Sequence, residues 1–185
     1  MSTTSLRRDH ELLEKVIKAM GSTIQLLNDG KQIPESILLP VIDFSKNFTD
    51  VCHHSKEEKS LFPALEKAGM PSNMGPIAMM LIDHRRSREI GTAMEESARV
   101  YLSSGDSAKL ISDMQQYVEH VTEHLWKENN RLFMMAEARL QYVSNNVGDE
   151  LNEIEKTQLT DLGKSREHYE KLAENLSHDL SEQDS

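Results

Sequence analysis

A single cysteine, Cys52, stands in the 185 residues, so no internal disulfide can form, and a reducing compartment is the natural home for such a chain. Prolines number five and glycines eight. With β-branched clusters also scarce, little is present to interrupt long helices and little to build a sheet. Long apolar runs are missing too. The longest, Ile77 to Ile82, is far too short to cross a bilayer. The first turns carry Arg7, Arg8, Asp9 and Glu11 among their apolar positions, which excludes the uninterrupted apolar core of a signal peptide. A cytoplasmic protein is therefore expected. Positive charge is in deficit, with 21 basic against 31 acidic residues and a net charge of −10. That balance argues against a sequence-independent grip on nucleic acid or on an anionic membrane.

What the chain has instead is helical periodicity and histidine. Leu6, His10, Leu13, Ile17, Met20, Ile24 and Leu27 recur at three- and four-residue spacing, predicting a first helix that Asn28-Asp29-Gly30 stops. A second helix starts near Pro34 and runs to about Ala68, with Pro40 inside it expected to kink or restart it. The third follows Gly75-Pro76 and ends near Leu102. The fourth, capped by Ser103 to Asp106, carries Leu110, Met114, Tyr117, Val121, His124, Glu128, Leu132 and Met135. Four long helices joined by short turns imply antiparallel neighbours. The expected fold is all-α, an up-down-up-down four-helix bundle over residues 1–144. Residues 145–185 form an acidic extension of one or two amphipathic helices packed on the bundle, with Ser181 to Ser185 expected to be disordered.

The pattern His-x-x-x-Glu occurs at His10/Glu14, His53/Glu57, His54/Glu58, His124/Glu128 and His178/Glu182. Residues four apart share a helical face, so each pair offers a nitrogen and an oxygen to one point in space. A Glu-rich helical chain makes some such pairs by chance. Two of them stand out because they repeat a longer phrase, in which His53, Glu57, Leu61 and Phe62 match His124, Glu128, Leu132 and Phe133. His10 and His84 lie on the apolar stripes of the two remaining helices. His10, His53, His84 and His124 thus fall one per helix. Four imidazoles and two carboxylates suit two cations, the carboxylates bridging and the neutral imidazoles capping. Donors of this kind without thiolate favour non-haem iron, with manganese or zinc as alternatives. The ferritin-like di-iron signature has Glu before His and lone Glu residues, so that class fits poorly.

On these residues the chain resembles the hemerythrin-like family, the HHE cation-binding domain. The family's order of a lone His, His-x-x-x-Glu, a lone His and His-x-x-x-Glu is matched by His10, by His53 with Glu57 in HHSKEEKSLFP, by His84 in GPIAMMLIDH, and by His124 with Glu128 in HLWKENNRLF. The resemblance implies a four-helix bundle holding a non-haem di-iron centre with Glu57 and Glu128 bridging and the four His terminal. Relatives of this kind bind or sense oxygen, iron or redox state, or, like the iron-sulfur cluster repair di-iron proteins, answer nitrosative and oxidative stress. Oxygen carriers of the family have a second His one turn after the third-helix ligand, and an Asp in the last helix. Here those places hold Arg88 and Glu128, so a more open centre is expected.

One conflict runs through the second helix. Ile37, Val41, Phe44, Phe48 and Val51, continued at α-helical pitch, point nearer His54 and Glu58 than His53 and Glu57. The repeat favours His53 and Glu57, and a phase shift at Pro40 would reconcile the two, as would packing of the Phe stripe under the acidic tail. His54 and His120 stand in reserve as ligands, and Cys52 reads as a buried apolar residue rather than a redox thiol. The leading expectation is a di-iron protein that binds or reacts with a small oxidant or diatomic ligand. The alternatives are a peroxide- or oxygen-reducing enzyme at the same centre and a metal-free helical interaction module.

Overall fold

The computed structural model describes residues 2–141 and 146–183, and among these it is helical with no strand. Six helices follow one another. Helix α1 is Thr4–Asn28, and Gly30, at φ 76°, takes the left-handed conformation that turns the chain out of it. Helix α2 covers residues 35–67 and passes through Pro40 unbroken. Helix α3 is Gly75–Ser104, closed by Gly105 at φ 77°. Helix α4 covers residues 108–140, and the Asp106 carboxylate accepts from the Ala108 N–H at its start. Helices α5, Val147–Asp161, and α6, Arg166–Gln183, complete the chain. The start of α1 meets the end of α4, where Glu137 accepts from the Thr3 N–H. The turn after α1 meets the end of α3, where the Ile33 N–H donates to Tyr101 Oη. Those two contacts fit the antiparallel order expected of short connections. Among the described residues no helix is long and apolar enough to cross a membrane.

Two differences from the sequence reading concern the ends of elements. The turn-forming residues Asn145-Asn146-Val147-Gly148-Asp149 lead one to expect a break in the helical pattern, and that break is shorter, since Val147, Gly148 and Asp149 already belong to α5. Residues 142–145, which include the expected boundary of the bundle, lie outside the described residues. Ser181 to Gln183 continue α6, because Leu180 is buried and anchors the last turn. Asp184 and Ser185 lie outside the described residues as well.

A larger difference lies within α2. Phe44–His54 and Glu57–Leu61 are wound with i→i+5 hydrogen bonds, and so is Glu128–Leu132 in α4. Such a turn takes up one residue more than an α-turn. The buried series therefore steps Phe44, Phe48, Cys52, His53, Glu57, Leu61 instead of following the α-helical pitch through Val51. This, and not a kink at Pro40, is what brings both the Phe stripe and the ligand pair inside. Phe44 and Phe48 pack against Tyr169 of α6, with ring centroids 5.8 and 5.1 Å away, so the acidic extension covers the stripe.

The interior is layered. One apolar cluster holds Leu12, Val16, Phe48, Cys52, Ile90 and Leu125 among others, and a second holds Leu6, Leu61, Met80 and Leu132. On every helix of the bundle the switch from one cluster to the other passes through buried polar residues, namely Asp9 and His10, His53 to Glu57, Asp83 and His84, and His124 and Glu128. A polar layer thus cuts the core in two.

Candidate metal centre

All six residues singled out by the spacing sit in this layer, each no more than 2% exposed. His10 Nε2 lies 3.2 Å from Glu128 Oε2, and His84 Nε2 lies 3.2 Å from Glu57 Oε2. His53 Nε2 is 3.9 Å from Glu57 Oε2 and 4.0 Å from Glu128 Oε2, and His124 Nε2 is 3.4 Å from Glu128 Oε1. Glu128 therefore turns one oxygen toward His10 and His53 and the other toward His124. Donor atoms of His10, His53 and Glu128 lie within 4.8 Å of one another, as do those of Glu57, His84, His124 and Glu128. Two groups of cation-ligand type share one carboxylate.

The chemistry of the donors is consistent with a cation. The Nε2 atoms of His10, His53, His84 and His124 and the carboxylate oxygens of Glu57 and Glu128 are buried with no hydrogen-bond partner. Each such atom costs ~1–3 kcal/mol if left bare in the interior. A layer of them is tolerable only when protons or metal ions take up the lone pairs. Protons do so in part. Burial disfavours the His84 cation, but the Glu57 carboxylate 3.2 Å away and the hydrogen bond to Glu58 outweigh it and push the ring up to about 9. His10 is raised against the same burial by Glu128 and Glu57. His53, by contrast, is lowered by burial.

The opposite edge of every ring faces a second side chain. His53 Nδ1 pairs with Asp9 at 3.1 Å, His84 Nδ1 with Glu58 at 2.8 Å, His10 Nδ1 with Asn129 at 2.9 Å, and His124 Nδ1 faces Asp83 at 3.6 Å. Carboxylates and amides in this position select the tautomer whose Nε2 is free to ligate. The spacing argument overlooked these partners, yet a signal was present. Asp9-His10 and Asp83-His84 are the same dipeptide on α1 and α3, and Glu58 and Asn129 each directly follow the ligand Glu of the repeat. Lys56 and Lys127 each directly precede it. Lys56 binds Asp9 at 2.5 Å, and Lys127 binds Asp83 at 3.2 Å. The tail of the repeat also has a defined use, since Phe62 stacks on His84 and Phe133 on His10, at 5.7 and 5.1 Å. The approximate twofold relation thus extends from the ligands to everything that holds them.

His54 breaks that relation, because its counterpart is the apolar core residue Leu125. It is 1% exposed, stacks on His84 at 3.9 Å between centroids, and has its Nδ1 3.3 Å from Asp50. A donor nitrogen of His54 lies within 4.8 Å of those of His84 and His124. Burial, then the nearby His84 and His124, holds it well below the ordinary range, so it is neutral. The expectation of a centre short of one imidazole is thereby revised, since a fifth ring stands beside the four, supplied by α2. Glu58 does not replace Glu57. It faces His84 Nδ1 and Arg88, and although burial raises it, those two partners hold it down to about 2. Arg88, where an imidazole was missed, ties Glu58 to Asp50 from the surface. His120 lies outside the layer, its Nε2 2.9 Å from the Asp83 carbonyl. Burial pushes the Cys52 thiol up to about 12, as suits a core residue. Of the remaining pairs, Glu14 and His178/Glu182 are exposed and bring nothing to the layer.

A family model, the Hemerythrin HHE cation binding domain, matches residues 1–136. No curated protein and no solved structure matches the chain.

Proposed function

The chain belongs to the hemerythrin HHE cation-binding family, and from that premise we propose that it is a non-haem di-iron protein that binds or reacts with a small oxidant or diatomic ligand such as O2, NO or peroxide, in sensing, storage or stress protection. The observation that carries the proposal is the convergence of unpartnered Nε2 and carboxylate atoms in one buried layer. His10 and His53 cap one cation position, and His84 and His124 cap the other. Glu128, common to both groups, and Glu57, which lies between His53 and His84, would complete the donor sets. Iron so held would supply reversible one-electron chemistry and open coordination to a small ligand, whereas manganese and zinc are the competitors for this mixed donor set. Asp9, Glu58, Asn129 and Asp83 keep the four rings turned inward. Leu61, Phe62, Leu132 and Phe133 close the layer on one side and keep bulk water away.

Anaerobic metal analysis with optical spectra before and after exposure to oxygen tests this reading. About two iron ions per chain and a near-ultraviolet band on oxidation are expected, with metal uptake raising thermal stability. Protein from iron-supplemented cells that held well under one iron per chain, and gained none anaerobically, would sink it. Spectral change that reverses on removing oxygen would mark binding, and steady consumption of peroxide would mark an enzyme.

A further inference from the structure

A cavity of about 190 Å³ opens between α2 and α3 and reaches inward to His54. Its walls are Ser45 and Thr49 of α2, Ser87 and Gly91 of α3 and Tyr117 of α4, and Arg88 lies at its exposed rim. Larger surface depressions, such as the one of about 560 Å³ bordered by Arg8 and Glu137, touch no histidine of the polar layer. Three polar atoms among the lining residues, His54 Nε2, Ser87 Oγ and Tyr117 Oη, are buried and without a hydrogen-bond partner. Their residues are 1%, 4% and 3% exposed. Buried hydroxyls and an imidazole nitrogen left bare in this way call for a polar occupant.

We propose that this cavity is the access and binding pocket for the small ligand of the metal centre, with His54 as its floor and the Ser87 and Tyr117 hydroxyls as its hydrogen-bonding groups. The inference rests on the metal-binding reading above. Size bounds the ligand. Pockets for drug-sized molecules run to roughly 300–1,000 Å³, whereas a cavity of about 150 Å³ takes benzene, so this one admits a molecule of up to about six heavy atoms, or a smaller one with its waters. Charge narrows it further. Arg88 is committed to Asp50 and Glu58, and Lys46 to Glu95, so the rim holds no free cation to capture a polyanion. A neutral or singly charged hydrogen-bonding molecule is the fitting occupant. The position of the pocket agrees with the asymmetry of the layer, because His54 stands where the related half of the bundle has Leu125. A molecule on the cavity floor therefore meets an imidazole stacked on His84, at the His84/His124 end of the centre.

Azide, a linear monoanion of three atoms, is a suitable probe, with a graded plug at Gly91. Gly91 has no positive φ, and a Cβ built there meets only a Tyr117 ring carbon at 3.7 Å, an ordinary contact. Gly91→Ala, Gly91→Val and Gly91→Leu should keep the wild-type metal content while azide association with the oxidised protein, read from its charge-transfer band, slows progressively, by about tenfold or more for the largest. Tyr117→Phe and Ser87→Ala, which leave the opening unchanged, should each weaken azide binding by about tenfold or more, the loss of one hydrogen bond to a charged ligand. If all these variants hold metal and bind azide within about twofold of wild type in rate and affinity, or if the loaded wild type binds none, the pocket assignment is overturned. A wild type that takes up no metal would instead overturn the metal reading, so the two failures are distinct. Should Gly91→Leu fail to fold, the Gly91→Ala and Tyr117→Phe measurements still decide.

Discussion

Lys56→Met should be among the most damaging single changes outside the ligands. Lys56 is fully buried, and its ammonium group touches Asp9 at 2.5 Å, Glu155 at 2.6 Å and Ser5 Oγ at 3.0 Å. Burial works against this cation, and the two carboxylates outweigh it. Methionine keeps the unbranched shape, so the loss is chiefly electrostatic. Removing one partner of a buried ion pair costs ~3–5 kcal/mol, because the other charges stay behind uncompensated. Here Arg166 still reaches Asp9 at 2.7 Å and Glu155 at 3.2 Å, which places the expected cost near the lower end, at ~3 kcal/mol. For a chain of this length that is a fall in Tm of roughly 6–12 °C, measurable by circular dichroism on the metal-free protein. The related half of the bundle supplies a control. Lys127 holds Asp83 from a position 24% exposed, and the same substitution there should cost below ~1 kcal/mol. Glu155→Gln combined with Lys56→Met should cost less than the sum of the two, since they share one contact. A Lys56→Met protein destabilised by under ~1 kcal/mol, or no more than Lys127→Met, would refute the view that a buried charge network ties α5 and α6 to the His53 side of the centre.

Tyr169→Ala should destabilise the protein by ~3–5 kcal/mol, because the ring is wholly buried between Phe44 and Phe48; a loss under ~1 kcal/mol in urea denaturation would mean that α6 is only loosely attached. Metal uptake near pH 7 should release protons, since His84 in the metal-free protein titrates at about 9 and carries a proton that a cation must displace. The sign follows from the raised value. The stability that this proton lends is full below the ordinary 6.5 and lost as pH rises through about 9, while its release on metal binding should persist at neutral pH and fade only as pH rises through about 9. Calorimetry with zinc in buffers of different ionisation enthalpy measures it, and release that does not change with pH would contradict the assignment. Cys52 is buried and its thiol is pushed up to about 12, so Ellman's reagent should label it only after unfolding. Rapid stoichiometric labelling of the native protein would count against its place in the core.

The sequence allowed the candidate metal-binding residues to be named but not the geometry that gathers them, and the reason is local. His10, His53, Glu57, His84, His124 and Glu128 were legible because a repeated phrase, with lone histidines on the intervening apolar stripes, is a pattern that survives any small error in helix phase. The phase itself was not legible, because i→i+5 turns are rare and no residue type encodes them. Three stretches of such winding, Phe44–His54, Glu57–Leu61 and Glu128–Leu132, decide which side chains of α2 and α4 face inward. The same hydrogen bond recurs in both halves, from the Phe62 N–H to the Glu57 carbonyl and from the Phe133 N–H to the Glu128 carbonyl. Each wide turn thus begins at a ligand carboxylate and ends at the phenyl ring that stacks on the histidine of another helix. An unfavourable backbone winding that appears twice at equivalent places is held there by what it positions. Tightening either turn to α-helical pitch would swing the Phe off its histidine or the Glu out of the polar layer. The wide turns and the bare buried carboxylates are therefore two sides of one arrangement, and a bound cation is the group that would satisfy the carboxylates that the turns bring inward.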